Sequence, residues 1–304
     1  MSQEISELLT DTRIRRRGNL AVRWLKALTR KPLGLAAVIL ILFLVLTAVL
    51  ADVISPNDPY TQFTGMRIAG PGATAPNGTL LVFGGDEIGR DLFTRVVHGA
   101  RVSLFVSLFS IILGVGSGSI LGIISGYFEG KTDMVLQRCM DAAMAVPTIV
   151  LALVLMAVLG NTMVNVILAI GLTQIPRTSR IVRGTVLSVK QNVYIDGARA
   201  LGASNLRIMA KHIFPNITAP IIVIATVDLG SAVLVESTLS FLGLGSPPPT
   251  PSWGGMISQA GRVFLLEDPK LLVIPGIALS LAILAFNLAG DALRDIWDPR
   301  LRGS

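Results

Sequence analysis

Residues 194–216 read YIDGARALGASNLRIMAKHIFPN, and they lie between two long apolar segments. The stretch is polar, basic and helix-forming. Small residues at 197, 198, 200, 202 and 203 permit close approach by another surface, and Gly202 permits a chain reversal between two short helices. Ser204 is placed to cap the second helix, whose face shows Leu206 and Met209 with Ile213 further on. Arg199, Arg207 and Lys211 frame it with positive charge. A loop of this size within an otherwise apolar chain either lies on lipid headgroups or is gripped by a soluble partner.

The rest of the chain belongs in a bilayer. Of its 304 residues 52% are hydrophobic and 15% charged, whereas soluble domains carry about 25% charge. Runs near the ~20 residues needed to span a bilayer number six. Leu33–Ala51, Val102–Ile124 and Leu271–Gly290 are free of formal charge. The uncharged run Ala142–Pro176, 35 residues long, is too long for one crossing. It reads as two helices turning at Gly160-Asn161, the second running on towards Arg183. The sixth, about Ala219–Leu242, contains Asp228 and Glu236.

Lysine and arginine orient these segments. The tail to Lys31 and segments 126–138, 176–218 and 291–304 hold 20 of the 26, and the alternate segments hold 6. Six crossings with both termini cytoplasmic fit that asymmetry, and the net charge of +7 is then mainly a topology signal rather than a nucleic-acid one. The organisation expected is a basic N-terminal segment 1–32, a first transmembrane helix 33–53 retained as an anchor, and an external loop 54–100 with an interfacial helix capped by Asp86. A permease-like core 101–293 with five more helices and the cytoplasmic loop 194–216 follows, then a cytoplasmic tail 294–304.

Within the second crossing, glycines at 114, 118, 122 and 126 fall in one groove. They serve close helix packing, or a sliding surface during gating. Ser246–Gly255, rich in proline, should be stiff and extended, with Trp253 at the membrane interface. Gly126–Thr132 resembles a phosphate loop but lacks the four-residue spacing between its glycines and follows a membrane helix. Gly114-Val-Gly116-Ser-Gly118 likewise fails as a dinucleotide fingerprint. Cys139 is the only cysteine, and His98 and His212 have no metal-ligand spacing. No Ser/His/Asp, paired-carboxylate or metal constellation supports an enzyme. A stand-alone secondary transporter would show repeated halves with broken helices, and no internal repeat is visible.

The loop resembles the EAA loop of importer-type ABC permeases, in which an acidic and two small residues precede a glycine, a hydrophobic pair and a proline. Here Asp196-Gly197-Ala198 stands for Glu-Ala-Ala, Gly202 keeps its place, and Ile213-Phe214-Pro215 stands for Ile-Leu-Pro. Gly197 departs from the pattern and loosens a helix by up to ~1 kcal/mol relative to alanine. The resemblance extends through Phe83–Asp91, Thr94-Arg95, Gly99–Leu104, Asp141 with Pro147, Leu239–Gly245 with Pro251–Gly254, and Asn287–Asp295 with Asp298-Pro-Arg300. These blocks are similar to the oligopeptide, dipeptide and nickel permease class, and to the second, shorter-ectodomain member of its permease pairs.

That resemblance implies an all-α membrane protein with six transmembrane helices in a bacterial or archaeal cytoplasmic membrane. It implies as partners a sister permease, two cytoplasmic ATPases and an external or periplasmic substrate-binding protein. No cofactor is expected in this chain; ATP and Mg belong to the ATPases, and lipid but no nucleic acid to the surroundings. The coupling residues it implies are Asp196, Gly197, Ala198, Arg199, Gly202, Ala203, Ser204, Leu206, Arg207, Ile213 and Pro215. Short peptides are the default cargo of the class, with nickel chelates, glutathione, glycosides and opine-like solutes as alternatives. Arg177, Arg180 and Arg183 form one cationic stripe, for lipid phosphate, for ATPase contact or for bracing the loop. Asp228 and Glu236, costly inside a membrane, meet a cationic ligand group or pair with a neighbouring arginine; Asn287 is a further pathway candidate.

Overall fold

The computed structural model describes residues 32–263 and 268–297, so the basic segment to Lys31 and the Asp298-Pro-Arg300 block lie outside the described residues. Helix α1 (Pro32–Val49) and a single turn α2 (Ala51–Ile54) lead into segment 55–91, which holds the small antiparallel pair β1 (Ala73–Thr74) and β2 (Leu80–Leu81). Helix α3 then runs unbroken over Leu92–Phe128, about 55 Å at 1.5 Å per residue. The interfacial helix expected near Asp86 is absent as a separate element. Asp86 instead closes a turn, accepting from the Ile88 and Arg90 amides at 3.0 and 2.8 Å. Asp91 is the N-cap, accepting from the Phe93 amide at 3.1 Å and the Thr94 hydroxyl at 2.7 Å.

Helix α4 (Gly130–Met144) and helix α5 (Thr148–Leu159) meet at 89°. The first half of the 35-residue apolar run is therefore only 12 residues of helix. Pro147 offers no amide and disfavours helical geometry at the residue before it, which separates a polar helix from an apolar one. The turn expected at Gly160-Asn161 is present: Gly160 has φ +84°, and Thr162 caps helix α6 (Met163–Lys190) by accepting from the Asn165 amide.

The glycine groove of α3 receives α6. A β-carbon on Gly114 would lie 2.6 Å from the Gly171 carbonyl, one on Gly118 2.7 Å from Thr178 Cβ, one on Gly122 2.6 Å from the Ser179 carbonyl and one on Gly126 2.9 Å from Val186 Cβ. Four turns of α3 thus admit α6 only because they carry no side chain. Gly116, one face away, meets nothing within 4 Å.

Beyond α6 come α7 (Val193–Ala200) and α8 (Asn205–Ile208), then a π turn (Met209–Ile213) that continues without a break into α9 (Phe214–Phe241). Segment 242–252 leads to α10 (Trp253–Val263), and the last helix is α11 (Lys270–Trp297). The stiff stretch expected to Gly255 therefore ends at Ser252. Trp253 is buried, not interfacial, and its indole donates to the Val96 carbonyl at 3.0 Å. Helix α11 runs past residue 294, where a tail was expected.

Four of the described helical spans are long and apolar enough to cross a membrane (α1, α3, the α8–α9 rod and α11), and the bent α4–α5 pair makes a fifth if counted as one. The remaining segment of the expected six, α6, has 28 residues but carries Gln174, Arg177 and Arg180 within it. One face of it packs into the glycine groove of α3, and Arg177 and Arg180 are neutralised by Asp228 and Asp141.

Candidate functional site

The 194–216 stretch is two-sided. Ile195, Ile208, Ile213 and Ile217 are fully buried and pack with Tyr127, Val182 and Val186, while Ala198 and Ala203 rest against the same cluster. On the opposite side Leu201 and Leu206 stand 90% and 73% exposed, and Val193 85%. Large aliphatic side chains set in open solvent on a protruding, well-anchored loop mark an interaction surface. Asp196 pairs with Arg199 at 3.2 Å on the exposed side, and Arg207, Gly197 and Pro215 are exposed there too.

Gly202 makes the reversal at φ +77° with open space around it, and Ser204 caps α8, its hydroxyl accepting from the Arg207 amide at 3.4 Å. Both roles match expectation. Ile213 does not: it faces the core. In an α-helix, residues five apart point in different directions, whereas the i→i+5 bonding of a π turn brings Ile208 and Ile213 to one face. The Phe214 amide donates to the Met209 carbonyl, which is that bond. The second arm of the loop is thus no free short helix but the first turns of the rod that ends at Phe241.

The loop is tied to the end of α3 by residues that the sequence pattern did not single out. Tyr127 donates its hydroxyl to Asn205 Oδ1 at 2.8 Å. Lys190 donates to the Tyr127 carbonyl and to Glu129, both at 2.7 Å. Lys190 and Arg199 both lie over the Tyr127 ring, 5.5 and 5.8 Å from its centre, within cation–π range. An aromatic among lysines just before a polar helix carries no distinctive spacing, so only the fold reveals this clamp.

The arginine stripe of α6 braces helices. Arg183 makes a forked pair with Asp133 of α4, both contacts at 2.6 Å; Arg180 pairs with Asp141 of α4 and Arg177 with Asp228 of α9. The bracing expected of the stripe was of the loop; the pairs it makes brace helices α4 and α9 instead. Asp228 accordingly has its neighbouring-helix arginine. Glu236 has none: among the described residues its partners are the hydroxyls of Ser240 at 2.8 Å, Ser103 at 3.1 Å and Ser237 at 3.3 Å. Asn287 is exposed on α11 opposite Gly230, where a β-carbon would come within 3.2 Å of its Oδ1. The three pathway candidates do not converge on one site.

Toward the other end of α3 a buried polar knot joins the two connecting segments. Arg90 pairs with Asp86 at 2.6 Å and Glu87 at 2.7 Å, and Arg95 donates to the Pro59 and Pro249 carbonyls at 3.1 and 3.3 Å. Burial, and then the Asp86 carboxylate beside it, push the Glu87 carboxyl above the usual range. Asp86, Glu87 and Arg90 of the GGDEIGRD block are thus spent on one another, on Arg95 and on Gln259 of α10, and Arg95 carries the link to segment 244–252. Among the described residues no cluster of metal-ligating side chains occurs.

A polytopic α-helical chain whose solvent-exposed, apolar-tipped loop is clamped to the bundle is the architecture of a permease subunit. Residues 118–303 match the family described as binding-protein-dependent transport system inner membrane component, and residues 20–71 match the N-terminal TM domain of oligopeptide transport permease C. A Brucella suis biovar 1 protein, provisionally named a peptide transport system permease, is 44% identical over 264 residues, covering 87% of this chain and 86% of its own length. The glutathione transport system permease protein GsiD of Escherichia coli O157:H7 is 39% identical over 276 residues, 90% of this chain and 88% of its own. The chain belongs to the inner-membrane permease family of importer-type ABC transporters, and it is a transport subunit rather than an enzyme.

Proposed function

We propose that this chain forms half of the translocation pathway of an importer for di- or oligopeptides, and that residues 194–216 couple it to a separate ATPase. The partners are a sister permease, two cytoplasmic ATPases that bind ATP and Mg, and a substrate-binding protein on the far side. The cytoplasmic face carries the start of α1, the coupling loop and the end of α11; the other face carries 54–91 and 243–252. Six crossings result when α6 and the bent α4–α5 pair each count as one.

The observation that carries this reading is the loop's two-sidedness. Its buried isoleucines fix it to the bundle while Leu201 and Leu206 are held out in solvent. Asp196, Gly197, Ala198, Arg199, Gly202, Ala203, Ser204 and Arg207 surround those two side chains and shape the docked face, whereas Ile213 and Pro215 join it to α9. ATP closes the ATPases, the docked loop moves as a lever, and the α8–α9 rod carries the motion into the membrane. ATP drives this only through unequal affinity for the two states.

A glutathione importer is the second reading, favoured by the similarity to GsiD along 90% of the chain. A cysteine at Leu206 tests the first. In the reconstituted complex it should cross-link to the ATPase and not to lipid, with the yield changing on ATP binding. Cross-linking to lipid alone would return the loop to the membrane surface and sink the coupling assignment. Uptake of labelled dipeptides against glutathione decides between the cargoes.

A further inference from the structure

Glu236 is fully buried in the second half of α9, away from any cationic partner among the described residues. Its carboxylate is held by hydroxyls from two helices: Ser103 on α3, and Ser237 and Ser240 on α9 itself. Segment 243–255 lies directly on those serines. A β-carbon on Gly245 would fall 1.9 Å from Ser240 Oγ, and one on Gly254 2.4 Å from the Ser237 carbonyl. The same segment is pinned from two more sides: Arg95 holds the Pro249 carbonyl and Asn161 donates to the Gly243 carbonyl at 2.7 Å. Next to it, Ser258 on α10 donates to the Phe241 carbonyl at the end of α9 at 2.6 Å. A cavity of about 210 Å³ opens immediately beside this cage, lined by Ser240, Ser246, Ser258 and Gln259 with the segment's glycines.

We propose that Glu236 is a positioning residue of the outer closure: anchored on α9 by Ser237 and Ser240, it holds Ser103 of α3, ties the two helices together beneath segment 243–255 and keeps that end shut until the lever moves α9. This rests on the orientation given above. A buried carboxylate tolerates two surroundings, a complete set of donors or water, and intermediate positions leave it short of partners. Glu236 therefore makes the closure two-state. Closed, it holds the Ser103 hydroxyl across the two helices; open, water from the neighbouring cavity takes that one place while Ser237 and Ser240 stay with α9. Interfaces with two such arrangements are what amplify small displacements into switching.

The test uses the whole complex in nanodiscs, with Cys139→Ser removing the exposed native thiol and Ser246→Cys, in the cavity lining, as a reporter for a membrane-impermeant maleimide. Basal ATPase activity without binding protein is the second readout. The Ser246 hydroxyl oxygen is buried and makes no hydrogen bond among the described residues, so labelling should be slow at rest and the reporter breaks none of the contacts named above. Glu236→Ala should raise the labelling rate about tenfold or more, the scale of losing buried hydrogen bonds, and raise basal ATPase activity with it. Ser103→Ala, which removes the single bond between α3 and α9, should raise labelling less. Glu236→Gln keeps the shape and one accepting oxygen, and its amide can donate to serine hydroxyls that rotate to accept, so it should restore most of the closure. Wild-type labelling in a correctly assembled Glu236→Ala complex overturns the proposal, as does equal opening by Gln and Ala. If the Ala variant fails to assemble, unchanged labelling in Ser103→Ala overturns it. Labelling is read whether or not the ATPase responds to binding protein, so failure of the import reading appears in that response alone.

Discussion

Gly202 holds a left-handed conformation at the tip of the loop with free space where a side chain would go. Its requirement is thus the backbone and whatever docks there, not the interior of this chain. Valine at 202 adds roughly 1–3 kcal/mol of backbone strain and a bulky side chain at the docked face. We expect assembly to persist while uptake falls at least severalfold relative to ATP hydrolysis, measured together in proteoliposomes. Asparagine, which tolerates the left-handed region, separates the two effects: it relieves the strain but keeps the intrusion, so it too should uncouple. Unchanged uptake in both variants would remove Gly202 from the coupling surface. The forked Arg183–Asp133 pair gives a second test at this scale. It is partly exposed, 32% and 17% at the two side chains, so losing either partner should cost roughly 1–3 kcal/mol, less than the ~3–5 of a fully buried pair. The double variant should lose less than the sum of the two single ones in thermal unfolding, because it strands no charge; strict additivity would mean no direct coupling. The arginine spacing on α6 was visible in the sequence, but its partners were not. Asp133 and Asp141 sit on a different helix, in a stretch whose polarity reads equally well as a solvated connection.

At the level of elements, the four glycines of α3 make a sharp contrast with the fifth nearby. Gly118→Leu places carbon atoms where Thr178 and the Ile175 carbonyl already are, which must push α3 and α6 apart; the chain should lose its monodisperse peak on size exclusion. Gly116→Ala faces open space and gains helix propensity of ~1 kcal/mol, so its melting temperature should hold or rise. A tolerated Gly118→Leu would mean that the stripe is not the contact. Both the stripe and its packing purpose were legible, since four-residue spacing has few other uses in a membrane helix. The bend between α4 and α5 was not. Hydropathy registers the apolar α5 and its hairpin to α6, but it discards the polar helix before Pro147, which is held by its ion pairs to α6 and its hydrogen bonds to Ser125 of α3. The same limitation hid the buried placement of Trp253, because an aromatic beside prolines and glycines suits an interface equally well until Gly99 and Val96 are seen against it.

For the whole molecule, orientation is the property on which the mechanism depends. A cysteine at Leu80, exposed on the β2 side, should react with an impermeant reagent on intact cells. The exposed native Cys139 of α4 should react only after permeabilisation; the reverse pattern would invert the topology. The sidedness tested here rests on the distribution of lysine and arginine alone, whereas the apolar runs made most of the long helices legible. The joint between loop and membrane was illegible. Two arms ending at Asn216 and a separate crossing from Ala219 look no different, in sequence, from one continuous rod. The π turn at 209–213 is what makes the continuous rod compatible with buried isoleucines on both sides of it, and that has a consequence for permissible chain length. A π turn is an α-helix with one residue to spare, so the loop contains a single position of slack. Removing Ala210 would let the turn relax to ordinary helix while Ile208 and the shifted Ile213 still face inward, four residues apart. Removing one residue from the regular helix on either side would instead rotate the rod about 100° relative to the loop. Residues 209–212 are therefore the place where this coupling arm can shorten by one residue without losing its alignment.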